Sequence, residues 1–110
     1  MTMPETDVTR AAARAEAGEV LLLDVREDDE WAAGHAPQAV HAPMSRLTLG
    51  DVPADRPVVA VCRSGNRSGQ ATAALVAAGR DVVNMAGGMK DWAATGLPVV
   101  REDGSPGQVL

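Results

Sequence analysis

Cys62-Arg63-Ser64-Gly65-Asn66-Arg67-Ser68 carries the only cysteine of the chain. It follows an apolar run, Val58-Val59-Ala60-Val61, and precedes a pattern of small residues at helical spacing that begins near Ser68. A thiol where a buried strand meets a tight polar loop and a helix N-terminus sits in a cradle for negative charge. Inward-facing N–H groups and the positive end of the helix both favour an anion there. A thiol with a pKa near 8.5 is only about 3% ionised at neutral pH, whereas one tuned to about 6 is mostly ionised. Gly65 and Asn66 are the residues that best tolerate the left-handed backbone that convergent N–H groups require. Arg63 and Arg67 flank the thiol, and an inert buried cysteine has no use for them. Cys62 is therefore read as a catalytic thiolate.

The elements that must hold this loop follow from the pattern of apolar residues. Thr9 is the expected N-cap of a helix over 10–17, closed by Gly18, with an edge strand near Asp7-Val8 before it. Val20 to Val25 is a continuous apolar run broken only by Asp24, the signature of a strand covered on both faces. Glu27-Asp28-Asp29-Glu30 reads as the acidic first turn of a short helix rather than a metal site. Trp31-Ala32-Ala33 completes that helix and Gly34 ends it. His35-Ala36-Pro37 is a turn, and Ala39-Val40-His41 is a short strand stopped by Pro43.

Residues 44–57 are irregular, and they are expected to form part of the pocket mouth. The apolar positions Ala71, Ala74, Leu75 and Ala78 make a helix ended by Gly79, and Val82 to Met85 is a further buried strand. Gly87-Gly88 opens a short helix through Trp92. Strands alternating with helices predict an α/β domain with a mainly parallel sheet over residues 8–100. Residues 1–7 then form a short leading segment and 101–110 a flexible tail.

Composition narrows the partners. The chain has 110 residues, a net charge of −5, one lysine (Lys90), two tryptophans and neither Phe nor Tyr. Its core must therefore come from Val, Leu, Ala and Met, with Trp31 and Trp92 as anchors. An acidic chain without a basic face does not suit nucleic acid, and no apolar stretch is long enough to span a membrane. One cysteine allows neither an internal disulfide nor a cysteine zinc site. The N-terminus lacks the basic and apolar regions of a signal peptide, so a reducing, cytoplasmic setting is expected.

The loop from Cys62 to Ser68 resembles the active-site loop of the rhodanese family of sulfurtransferases. Leu23-Asp24-Val25-Arg26-Glu27, Glu30-Trp31 with Gly34-His35-Ala36-Pro37, Gly87-Gly88-Met89-Lys90-Asp91-Trp92 and Gly96-Leu97-Pro98 agree with that family in order and spacing. Gln38 departs from it, because a Gly usually follows this Pro. The resemblance implies a compact α/β domain with helices on both sides of a central sheet, and it implies a persulfide mechanism without a cofactor. In that mechanism Cys62 takes the sulfane sulfur of thiosulfate or a low-molecular-weight persulfide and passes it to cyanide, a thiol or a protein acceptor. Arg67 stands five residues after Cys62, the short loop of the sulfur-transferring members; the similar phosphatases and arsenate reductases have one residue more.

Side-chain roles within that frame can be weighed on charge and position. Arg63 is expected to point outward and attract an anionic donor. Arg67 is read as a brace, paired with Asp24 or Glu30, in preference to a substrate clamp. Asp24 and Arg26 would lie at the same sheet edge as Cys62, where a scaffold ion pair is expected at least as much as direct contact with substrate. His35 reads as a turn residue bonded to backbone, and His41 has no assigned role. Two alternatives remain: a sulfur carrier that depends on a partner protein, and an oxyanion hydrolase disfavoured by loop length.

Overall fold

The structure is a computed structural model and describes residues 4–110. Five strands form one sheet in the order β1-β5-β4-β2-β3, with β1 at Glu5–Thr6, β2 at Leu21–Asp24, β3 at Ala39–His41, β4 at Val58–Val61 and β5 at Val82–Met85. Every pairing is parallel. Parallel neighbours need crossovers, and three helices supply most of them, α1 (Val8–Glu16), α2 (Asp28–Ala33) and α3 (Asn66–Ala77), while α4 (Gly88–Ala94) follows the last strand. Two short 3-10 turns, Met44–Arg46 and Leu49–Asp51, occupy the irregular stretch before β4.

Strand alternation divides the core into two layers. Leu22, Val59, Val61 and Met85 pack with Val8 and Ala11 of α1 and with Met89 and Trp92 of α4. Leu23, Val25, Val58, Ala60, Cys62 and Val82 face the other way, against Ala71 and Leu75 of α3. Both faces of the central strands are thus covered, which is why β4 reads as an unbroken apolar run and β2 as one interrupted only by Asp24. Cys62 follows the middle strand, and the pairing of Asp24 with Val61 puts the ends of β2 and β4 at the same edge.

Several local expectations are corrected. The first helix begins at Val8 rather than Arg10, because the Asp7 carboxylate, not Thr9, accepts the Arg10 N–H at 2.8 Å. The edge strand is Glu5–Thr6, two residues earlier than Asp7-Val8, and it pairs with Asn84 and Met85. Trp92 is fully buried, as an anchor should be, but Trp31 is only half-buried. Its indole stacks on His35, with ring centroids 3.5 Å apart, and on His41 at 4.7 Å. Residues 101–110, read as a flexible tail, fold back on the domain. Val100 bridges His35 and Pro106, the Gln108 N–H donates to Ala33 O at 2.9 Å, and Val109 packs against the α1/α4 layer. The composition of this segment suggested fraying, but its Gly107 allows the approach to the Ala33–Gly34 backbone that a side chain would block.

Candidate active site

The cradle is built from three elements that tie down the loop from outside. Gly65 adopts φ +101°, the left-handed turn that ends the loop, and α3 begins at the next residue. Asn66 is therefore already helical, and no non-glycine residue among those described has positive φ. Starting two residues earlier than the apolar spacing suggested, α3 brings its first-turn donors under the sulfur. Gly65 N–H points at Cys62 Sγ from 3.0 Å, and Ser68 Oγ lies 3.2 Å from it.

The carbonyls on the far side of the loop are equally well held. Met89 N–H donates to Cys62 O at 2.8 Å and Lys90 N–H to Arg63 O at 2.9 Å. These N–H groups belong to the first turn of α4, where a helix has no internal acceptors for them. In a trans peptide the C=O and N–H point in opposite directions. Anchoring Arg63 O on α4 thus turns the Ser64 N–H back toward the sulfur. Gly65 O accepts from Gly69 N–H at 3.0 Å and from the Asn84 side-chain amide at 3.1 Å.

Cys62 is buried, and burial alone would push its thiol up. The Ser68 hydroxyl and the backbone N–H groups of Ser68, Gly65 and Ser64 outweigh that penalty and leave the thiol below its ordinary value. Arg67 does not reach over the sulfur. Its guanidinium forks onto Glu30, with both N–H···O distances 2.7 Å, and the pair holds the first turn of α3 to α2. Hydrogen bonding to Arg67 leads the causes that hold the Glu30 carboxyl below its usual range.

Asp24 and Arg26 form a fully buried ion pair, 2.8 Å at its shortest, and Arg26 also donates to Gly34 O at 2.8 Å. His35 Nδ1 bonds to Trp31 O at 2.9 Å, and His41 Nε2 to Arg26 O at 2.7 Å. None of these side chains is aimed at the thiol by a direct contact. Arg63 is exposed beside the site, and its Nε donates to Leu110 O at 2.6 Å. A groove of about 410 Å³ between β1 and α3, lined by Glu5, Gly65, Asn66, Gly69, Gln70, Ala73 and Asn84, runs behind the loop without reaching Cys62.

Three contributors escaped the sequence reading. The N–H groups of Met89 and Lys90 act through backbone, which no side-chain pattern discloses. Asn84 did leave a signal: it is the one polar residue in the buried run Val82–Met85, and an amide in such a place must have partners.

The Rhodanese-like domain family model matches residues 7–95. The chain belongs to the rhodanese-like domain family. It is 43% identical over 93 residues to a sulfurtransferase of Allochromatium vinosum, covering 82% of this chain and 87% of that protein. It is 41% identical over 109 residues to an HTH-type transcriptional regulator of Mycobacterium tuberculosis, covering 94% of this chain but only 47% of the regulator. This rhodanese-like chain thus spans about half the length of that relative. Among solved structures, a rhodanese-related protein from Thermoplasma volcanium superposes with a TM-score of 0.83 at 28% identity, covering 90% of this chain and 99% of the other. Among the described residues no helix is long and apolar enough to cross a membrane.

Proposed function

We propose that this rhodanese-like domain is a sulfurtransferase that moves sulfane sulfur from thiosulfate or a low-molecular-weight persulfide to a thiophilic acceptor through a persulfide on Cys62. The observation that carries this reading is the convergence of Gly65 N–H and Ser68 Oγ on Cys62 Sγ, at 3.0 and 3.2 Å. The name and the extent of the Allochromatium relative support it.

In the first step the Cys62 thiolate attacks the outer sulfur of thiosulfate. A Cys62 S–S bond forms, the sulfur–sulfur bond of the donor breaks, and sulfite leaves with the electron pair. The terminal sulfur of the persulfide then carries the negative charge, and the loop N–H groups are preorganised to receive it. In the second step cyanide or a thiolate attacks that terminal sulfur, and Cys62 leaves as the thiolate from which the cycle began. Splitting the transfer at a covalent intermediate divides one hard step into two easier ones. Arg63, at the rim, supplies the attraction for an anionic donor, while residues 44–57 shape access from the other side. The proposed setting is the reducing cytoplasm, which keeps a lone thiol available.

A panel of thiosulfate and glutathione persulfide against cyanide and thiol acceptors, run on wild type and Cys62→Ser, tests the reading. Turnover with at least one donor in wild type, and none in the folded variant, is expected. Activity that survives in Cys62→Ser overturns the mechanism. Persulfide formation with negligible turnover on every small acceptor would instead favour the partner-dependent carrier, a reading given weight by the relative in which such a domain makes up about half of a regulator.

A further inference from the structure

Ser68 has one hydroxyl proton and two acceptors within reach. Its Oγ lies 3.2 Å from Cys62 Sγ and 2.6 Å from Asn84 Oδ1. The amide of Asn84 cannot be turned round, because both Nδ2 protons are committed: one to Gly65 O at 3.1 Å, the other to Glu5 Oε2 at 3.2 Å. A reversed amide would set its oxygen against a carbonyl and a carboxylate. Asn84 Oδ1 therefore permanently faces Ser68 as an acceptor, and both residues are buried, at 2% and 0% exposure. No solvent intervenes to satisfy whichever acceptor goes without the proton.

We infer that Asn84 is a positioning residue that competes with Cys62 for the Ser68 proton, so that the hydroxyl serves the sulfur only while the sulfur is charged. The inference rests on the sulfurtransferase reading for its purpose but not for its geometry. When Sγ is a thiolate, the charge draws the hydroxyl, because hydrogen bonds to an ionised acceptor are the stronger ones. When Sγ becomes the inner, neutral sulfur of a persulfide, it is a weak acceptor, and the proton returns to Asn84 Oδ1. When the acceptor attacks and Sγ takes the electron pair again, Ser68 swings back to the leaving thiolate. No bond to hydrogen is broken; only the direction of donation changes. Ser68 thus stabilises charge at the two moments when Sγ bears it, while Asn84 spares the neutral state an unpaired buried hydroxyl. The same Asn84 amide fixes Gly65 O, which ties the switch to the loop whose N–H groups receive the terminal sulfur.

The charged groups around the switch are few. Glu5 reaches Asn84 from β1, Arg67 on α3 feels the charges of Cys62 and of Asp24 on β2, and Asp24 is itself paired with Arg26. A double-mutant cycle separates Asn84 from them. The pH dependence of iodoacetamide alkylation at Cys62, the sole cysteine, is measured in wild type, Ser68→Ala, Asn84→Ala and the double variant. Ser68→Ala is expected to raise the midpoint by about one pH unit and Asn84→Ala to lower it by about half a unit, and the downward shift should vanish once Ser68 is Ala, leaving only the upward effect of freeing Gly65 O.

An Asn84 effect of equal size in both backgrounds, or a raised midpoint in Asn84→Ala alone, overturns the competition. Should Asn84→Ala fail to fold, the Asn84 side-chain amide resonance is followed in Glu5→Gln, which removes the carboxylate beside it. That resonance should move with the Cys62 midpoint and stay still in Glu5→Gln/Ser68→Ala; no response at the Cys62 midpoint also overturns the inference. Neither readout involves sulfur transfer, so a domain that fails to turn over leaves this test intact.

Discussion

Cys62, the proposed nucleophile, is held by backbone more than by charge. Arg67, the obvious cation of the loop, spends its guanidinium on Glu30, and Asp24 and Arg26 neutralise each other out of contact with the sulfur. What lowers the Cys62 thiol, against the penalty of its burial, is the Ser68 hydroxyl together with N–H groups aimed at Sγ. The Glu30–Arg67 pair is accordingly a brace, and its removal should show as lost stability. Glu30→Gln is expected to cost about 1 kcal/mol at neutral pH, after allowance for the partial exposure of Arg67.

The pH dependence of that cost has a definite sign. The Glu30 carboxyl is depressed in the folded protein, so its contribution is complete above the ordinary carboxylate range and is lost as pH falls through the folded value. The melting temperatures of Glu30→Gln and wild type should therefore differ at neutral pH and converge in acid. A gap that is unchanged by acid would contradict the brace.

At the scale of elements, α4 is the unexpected participant. Its first turn grips the carbonyls of Cys62 and Arg63, and this needs an approach that only Gly88 permits. Gly88 has φ +60°, and a Cβ there would stand 2.4 Å from Arg63 O and 2.5 Å from Cys62 O. Gly88→Ala must push α4 off the loop and release the peptides that turn N–H groups to the sulfur. It should destabilise by roughly 2 kcal/mol or more and also slow iodoacetamide alkylation of Cys62 at neutral pH. Gly96→Ala is the control: φ there is +87°, but nothing lies within 4 Å, so it should cost stability without altering the thiol. Equal alkylation in Gly88→Ala and wild type would show that α4 does not hold the loop.

These elements also show what the sequence discloses. The apolar runs of β2, β4 and β5 and the acidic start of α2 are legible because burial and the helix dipole leave marks on residue type. The start of α3 is hidden in the sequence because Asn66 and Arg67 are polar and exposed or half-exposed, so apolar spacing begins only at the residues that face the sheet. Grips made by the backbone of Met89 and Lys90 leave no such mark. Trp31 misled for a related reason: an indole is mostly apolar whether it fills a core or stacks on two imidazoles at the surface.

Seen whole, the domain brings the ends of its parallel strands to one edge and places the thiol after the middle strand, where ligands of α/β sheets collect. The C-terminal segment closes over α2 and reaches Arg63 through Leu110 O, joining the last residues of the chain to the rim of the site. The proposal that a sulfur atom is carried on Cys62 draws on membership of the rhodanese-like family, the lowered thiol and the convergent donors. Intact-protein mass spectrometry after incubation with thiosulfate or glutathione persulfide tests that claim directly. Wild type should gain the mass of one sulfur atom, lose it when cyanide or a thiol is added, and the folded Cys62→Ser variant should gain nothing. A wild-type protein that takes up no sulfur from either donor, or a Cys62→Ser variant that does, would contradict the account.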